Sequence, residues 1–265
     1  MIINIGFSPC PNDTFIFDAL VNGKIDTQGL QFVPYIADVE ELNRLAFANT
    51  LEVSKLSYHA LGHLQNSYTP LQSGSALGTH CGPLLVSNKP LSPEQVSGLH
   101  VAIPGTYTTA NFLFRWAFGE PRRVSEVLFS DIEDAVLTEK VNCGLLIHEN
   151  RFTYAERGLH LIADLGDWWE TRTGLPIPLG GIAASKRLPT KIAQQIDALI
   201  RQSVEYAFAN PDDVMPFVRK HAQTMSDDIM RKHIDLYVNH YTRQLNEQGQ
   251  KAVNYLFEII KKSLP

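Results

Sequence analysis

Cysteine is scarce: the 265 residues hold three, Cys10, Cys81 and Cys143. They are scattered, odd in number and without metal-ligand spacing, which excludes a disulfide framework and fits a reducing cytosol. A strong excess of charge of one sign is also missing. The formal net charge is −5, and no basic run exceeds a pair such as Arg122-Arg123 or Lys261-Lys262. Nothing resembles a phosphate-tracking surface, so nucleic acid is not an expected partner. No segment approaches the ~20 consecutive apolar residues of a membrane span. The opening MIINIGFSPCPNDTF has no basic n-region, long apolar h-region or small-residue cleavage site, so no secretory signal is expected and the expected location is cytoplasmic, with no membrane partner. Walker and dinucleotide glycine fingerprints, a GxSxG elbow and an HExxH pair are all absent, which disfavours phosphate and nicotinamide binding, serine hydrolysis and zincin chemistry.

What is present is a chain rich enough in apolar residues, 44%, to bury a substantial core. Strand-like and helix-like runs alternate: IINIGFS, then PCPNDTFIFDALVNG, LQFVPYIAD, VEELNRLAFANT and LEVSKLSYHALGHL. This order predicts a parallel sheet covered by helices, an α/β fold. The proline-containing stretch GPLLVSNKPLSPEQVSGL reads as a connection between domains, after which HVAIP, ANFLFRWAF, VSEVLFS, DIEDAVLTEKV and CGLLIHE repeat the alternation. From Thr190 onward the pattern is almost wholly helical. The expected division is a first lobe from residues 1–92 and 190–265, with the C-terminal helices returning to cover it, and a second lobe from 93–189, with a cleft between them.

In parallel α/β sheets, ligands gather where strands end and helix N-termini expose N–H groups. Three segments put polar groups there. In SPCPNDT, Asn12 or Asp13 is either a helix N-cap or a ligand contact. In PGTYTTAN, Thr108 and Thr109 either cap the helix or cradle a carboxylate, and the same groups serve both purposes. In VSKLSYHA, Lys55 is either a surface lysine or a partner for a substrate anion beside Ser57. His59 and His63 lie four apart with no accompanying metal motif, so no metal site is expected. Trp168 and Trp169 either stack on a planar ligand or pack at a domain boundary.

The stretch CGLLIHENRFTY ends an apolar strand in His148 and Glu149. His148 is either a hydrogen-bonded residue leaving a sheet or a base aimed by it, since imidazole exchanges a proton near neutral pH.

The segments SPCPNDTFIFDAL, VSKLSYHAL, PGTYTTANFLFRWAF and GLLIHENRFTYAERGL resemble the 1,4-dihydroxy-6-naphthoate synthase family of the futalosine route to menaquinone, over nearly the whole chain. The resemblance implies a two-lobe, periplasmic-binding-protein-like type II fold with a central cleft, used as an enzyme. It implies conversion of cyclic dehypoxanthinyl futalosine to 1,4-dihydroxy-6-naphthoate with release of a sugar-derived fragment, and no cofactor. It gives the proton-accepting role to His148 and substrate contacts to Lys55, Leu56, Ser57, Thr109 and Ala110, on a small-molecule substrate bearing a carboxylate. Whether Asp13, Glu149 or Tyr154 assists stays open. A cytoplasmic small-molecule sensor and chorismate dehydratase, a related fold, are the alternatives.

Overall fold

The structure is a computed structural model that describes residues 1–222 and 226–263. The chain forms two compact units: Met1–Gly78 with Pro178–Pro265, and Thr79–Ile177.

The first unit opens with β1 (Ile2–Phe7), α1 (Pro11–Val21), β2 (Gln31–Ile36), α2 (Val39–Phe47), β3 (Val53–Ser57), α3 (Tyr58–His63), β4 (Tyr68–Pro70) and β5 (Ala76–Gly78). Strand β1 lies between β2 and β3 and runs parallel to both, which requires the intervening helices as crossovers. Helix α1 starts at Pro11, whose missing N–H costs nothing at a first helical position. Residues Pro11 to Leu20 are all buried, because the helix lies between the sheet and the C-terminal helices.

The second unit contains β6 (Leu84–Ser87), β7 (His100–Ile103), α4 (Thr109–Phe118), β8 (Arg123–Glu126), α5 (Ile132–Leu137), β9 (Cys143–Leu146), α6 (Asn150–Thr153), β10 (His160–Asp164) and α7 (Leu165–Thr173). Its sheet runs β10-β6-β9-β7-β8, with β7 parallel to β8 and β9 and with β6 antiparallel to its two neighbours. Its core gathers Leu84, Val86, Ala102, Ile132, Val136 and Leu146. Gly144 lets α5 lie against β9, since a Cβ there would collide with Ile132 and come within 3.0 Å of Val136.

The chain then returns through β11 (Ile177–Ser185), antiparallel to β3 and β4, and finishes in α8 (Thr190–Ala209), α9 (Pro211–His221), α10 (Asp227–Tyr237), α11 (His240–Arg243) and α12 (Glu247–Ser263). The buried residues of α8, Ile196, Leu199, Ile200, Ser203, Val204 and Ala207, recur at helical spacing. They share a core with Ile3, Ile5 and Phe7 of β1 and Phe15, Ile16 and Phe17 of α1.

The unit boundaries differ from the expected 92/93 and 189/190. Residues 84–87, read as part of a linker, form the buried strand β6 between β9 and β10. A four-residue apolar run beside prolines carries no periodicity that would reveal its pairing. The return crossing falls at the start of β11, whose pairing with β3 assigns its length to the first unit.

Candidate functional site

In the first unit the turn from β1 to α1 is built around Asp13. Cys10 holds the N-cap position and no side chain caps the helix, so neither Asn12 nor Asp13 is the cap. Asp13 instead reaches back, accepting from Ser8 N at 3.1 Å and Ser8 Oγ at 2.7 Å through Oδ2. Its Oδ1 accepts from Asn12 Nδ2 at 2.9 Å and pairs with Lys55 Nζ at 3.0 Å. Those donors match the four lone-pair sites of a carboxylate. Lys55 is buried, 6% exposed, and also donates to Gly74 O at 3.2 Å. It is therefore not a surface lysine. An ammonium has three donors, and Asp13 and Gly74 account for two.

Lys55 and Ser57 share one face of β3, while Leu56 points to the other and is fully buried in the core. Its backbone is opposite Gly181 of β11. Ser57 is held from both sides by Asn43 of α2: Asn43 Oδ1 accepts from Ser57 N at 3.0 Å and Asn43 Nδ2 donates to Ser57 Oγ at 3.2 Å. Asn43, with 0% exposure, was not singled out from sequence; the available signal was a polar residue in the stripe Val39, Asn43, Ala46. Asn12 Oδ1 lies 2.9 Å from Nε2 of His233 on α10, another contact that sequence reading missed. His59 and His63 bring their Nε2 atoms to 3.1 Å.

In the second unit, Thr108 caps α4, accepting from Asn111 N at 3.2 Å and donating to Gly105 O at 2.8 Å. Asn111 Nδ2 donates in turn to Thr106 O at 2.9 Å, and Thr106 N donates to Glu126 Oε1 at 3.0 Å at the end of β8. The capping reading of Thr108 holds. Thr109 and Ala110 follow as buried first-turn residues, where helix geometry directs N–H groups to partners outside the helix and the dipole favours negative charge.

His148 follows β9 in left-handed backbone, φ 58°, a region in which histidine is enriched among non-glycine residues. Its ring meets Phe129 edge-on, with centroids 4.8 Å apart. The short α6 beyond it is anchored by Arg151, which donates to Gly82 O and pairs with Asp164 Oδ2 at 3.3 Å. Glu149 is buried, and desolvation raises its carboxyl above the usual range while a hydrogen bond from backbone N–H opposes the shift. Tyr154 packs against the apolar cluster beside Leu159.

The tryptophans belong to the packing. Trp169 is fully buried with Nε1 donating to Pro176 O at 3.1 Å, and Trp168 meets Trp116 edge-on at 4.9 Å, both rings of that pair lying under Arg172. Among the described residues, one group has reach suited to a cation: His80, Asp167 and Glu170, whose ligand atoms lie within 4.8 Å of one another. His80 is exposed and already within 3.2 Å of Asp167 Oδ1. No helix among the described residues is long and apolar enough to cross a membrane.

Residues 3–262 match the family model described as menaquinone biosynthesis. A protein of Thermus thermophilus named "1,4-dihydroxy-6-naphtoate synthase" is 44% identical over 96% of this chain and 92% of its own. One of Streptomyces coelicolor with the same name is 40% identical over 96% and 91%. Among solved structures, a protein from Archaeoglobus fulgidus superposes with a TM-score of 0.93 at 35% identity, covering 98% of this chain and 97% of its own. An alkanesulfonate-binding protein from Xanthomonas axonopodis pv. citri superposes at 0.72 with 13% identity, covering 100% and 94%. A Candida albicans gene product described as having the generic periplasmic binding protein fold also reaches 0.72, with 10% identity and 100% and 92% coverage. At such low identity these last two show the fold alone, which is periplasmic-binding-protein-like. With the match running over almost its full length, the chain belongs to the menaquinone biosynthesis family.

Proposed function

We propose that the chain is a carbon–carbon lyase converting cyclic dehypoxanthinyl futalosine to 1,4-dihydroxy-6-naphthoate, in the cytoplasm, with His148 as the proton acceptor. The observation that carries this reading is the 44% identity, over 96% of the chain, to a relative named for making that product. The left-handed turn that carries His148 supports the base assignment. A non-glycine residue held there costs roughly 1–3 kcal/mol and persists where surrounding contacts over-determine it; Phe129 and the Arg151 anchor supply such contacts.

The chemistry needs a base and no external oxidant or reductant. The base takes a hydroxyl proton from the sugar-derived fragment, that oxygen's electron pair forms a carbonyl as the carbon–carbon bond to the ring breaks, and the bonding pair passes into the ring carbonyl as an enolate, which is reprotonated. Aromatisation to the dihydroxynaphthoate makes the later steps favourable. General-base catalysis of this kind is worth roughly 10²–10⁴-fold. In the first unit, the remaining donor of Lys55 and the Ser57 hydroxyl hold substrate oxygens. In the second, the first turn of α4 at Thr109 and Ala110 favours a carboxylate.

The test incubates purified protein with cyclic dehypoxanthinyl futalosine, and separately with chorismate, following dihydroxynaphthoate by mass and absorbance. Product is expected from the futalosine derivative only, with His148→Gln slower by roughly 10²-fold or more. Near-normal turnover by a folded His148→Gln would remove the base assignment. Tight binding with no product would favour a binding protein, the role named for the Xanthomonas structural relative.

A further inference from the structure

His233 reaches a turn 221 positions away in the chain. It is fully buried on α10, in a stripe with Met230, Ile234 and Tyr237. Its Nε2 lies 2.9 Å from Asn12 Oδ1. The chemistry of the neighbours decides which atom carries the proton. Asp13 Oδ1 is a carboxylate oxygen that already receives Lys55 Nζ, so the Asn12 atom 2.9 Å from it must be the amide nitrogen. The amide oxygen then faces His233, and an oxygen of that kind only accepts. The donor in that contact is His233 Nε2–H.

From this polarity we infer that His233 is a positioning residue for the proposed site, donating Nε2–H to Asn12 and so fixing the amide that steadies the Asp13 carboxylate beneath Lys55. The inference rests on the reading of Lys55 as a substrate contact. All the groups involved are buried: Ser8, Asn12, Asp13, Lys55 and His233. If Nε2 lost its proton, it would oppose the Asn12 oxygen, and turning the amide over would set that oxygen against Asp13 Oδ1. Either arrangement puts two acceptors in contact away from water, the costly case for a buried polar group. With Asn12 withdrawn, Asp13 keeps its Ser8 donors on Oδ2, but Oδ1 is left holding Lys55 alone. The ammonium would then be located by Gly74 O at 3.2 Å and by a carboxylate oxygen that nothing else steadies.

Two measurements on the full chain test this. The first is long-range proton–nitrogen NMR on protein carrying nitrogen-15 histidine. The sequence has nine histidines, and the His233 signals are identified by their loss in His233→Gln. A proton on Nε2 is expected; a bare Nε2 overturns the inference without reference to activity. The second is steady-state kinetics with cyclic dehypoxanthinyl futalosine. His233→Gln, whose amide nitrogen reaches the Nε2 position, keeps KM within about two-fold. His233→Asn, which reaches only the Nδ1 position, raises KM roughly ten-fold, the worth of one hydrogen bond in a charged network. In all three proteins the pH dependence of kcat is the same, because the proposed base lies elsewhere. Equal KM values for the Gln and Asn variants overturn the inference. If the parent protein makes no product, the function reading fails, while the proton on Nε2 still decides this one.

Discussion

Two strand-to-helix turns, one in each unit, are built in opposite ways. Between β1 and α1, Asp13 is 2% exposed and meets a donor at every lone pair, and the helix that follows runs 11 residues. Between β9 and α6, His148 sits in left-handed backbone and the helix that follows has 4 residues. The first turn is fixed by electrostatic satisfaction. The second is fixed by a ring contact with Phe129 and by the reach of Arg151 to Gly82 and Asp164. A buried charge pair is placed in the first kind of turn, and the side chain proposed to exchange a proton is placed in the second. Substitutions in the two turns should therefore separate stability from turnover.

The largest expected effect breaks the first turn. Asp13→Ala leaves Lys55 as a buried charge without its carboxylate, and loss of one partner of a buried pair costs about 3–5 kcal/mol. Urea unfolding should show the midpoint falling accordingly. The double variant Asp13→Leu with Lys55→Met removes both charges and should recover much of that loss. If Asp13→Ala unfolds at the parent midpoint, the pair is not the anchor of the turn.

The second turn should respond the other way round. In His148→Gly the left-handed backbone becomes unstrained, a relief of roughly 1–2 kcal/mol that offsets the greater entropy of glycine in the unfolded chain, roughly 0.5–1 kcal/mol. Stability should stay within about 1 kcal/mol of the parent, less whatever the Phe129 contact contributes, while turnover falls roughly 10²-fold or more. Paired urea titrations and product assays check both halves. A variant that unfolds several kcal/mol earlier would mean that the ring, not the backbone, holds the turn together.

How far the sequence reached follows the same division. Local signals were readable: the passage from β3 into α3 shows in VSKLSYHALGHL, and His148 stands where an apolar strand stops. Contacts that cross the chain were not. Lys55 looks like any lysine until β3 sets it against Asp13, 42 positions earlier in the chain numbering from 13 to 55. Asn43 and His233 interrupt apolar helical stripes, which marks them as unusual but does not name their partners, Ser57 and Asn12. Asn12 and Asp13 carry the residue types of an N-cap, yet Asp13 bonds backward to Ser8 because the proline at position 11 starts the helix one residue after Cys10. The unit boundary was missed where β6 offered only four apolar residues, since strand pairing is a property of the sheet and not of the segment.

The smallest expected effect sharpens the comparison at Glu149, the buried carboxyl of the second turn. Desolvation raises its pKa and a hydrogen bond from backbone N–H opposes this, so the folded protein holds the proton more tightly than the unfolded chain does. A group of this sign contributes stability that is fully present below its unfolded pKa and is lost as pH rises through the folded value. Glu149→Gln carries no such titration. Relative to the parent, the variant should therefore gain on moving from pH 4 to pH 8, by on the order of a degree or two in Tm, read from melts at both pH values. A gap that does not change between them would mean that a cation or donor compensates the Glu149 charge, and the second turn would then resemble the first. A gap that opens in the variant's favour would mark the turn beside His148 as one in which ionising a buried acid costs stability, next to the residue proposed to move the proton.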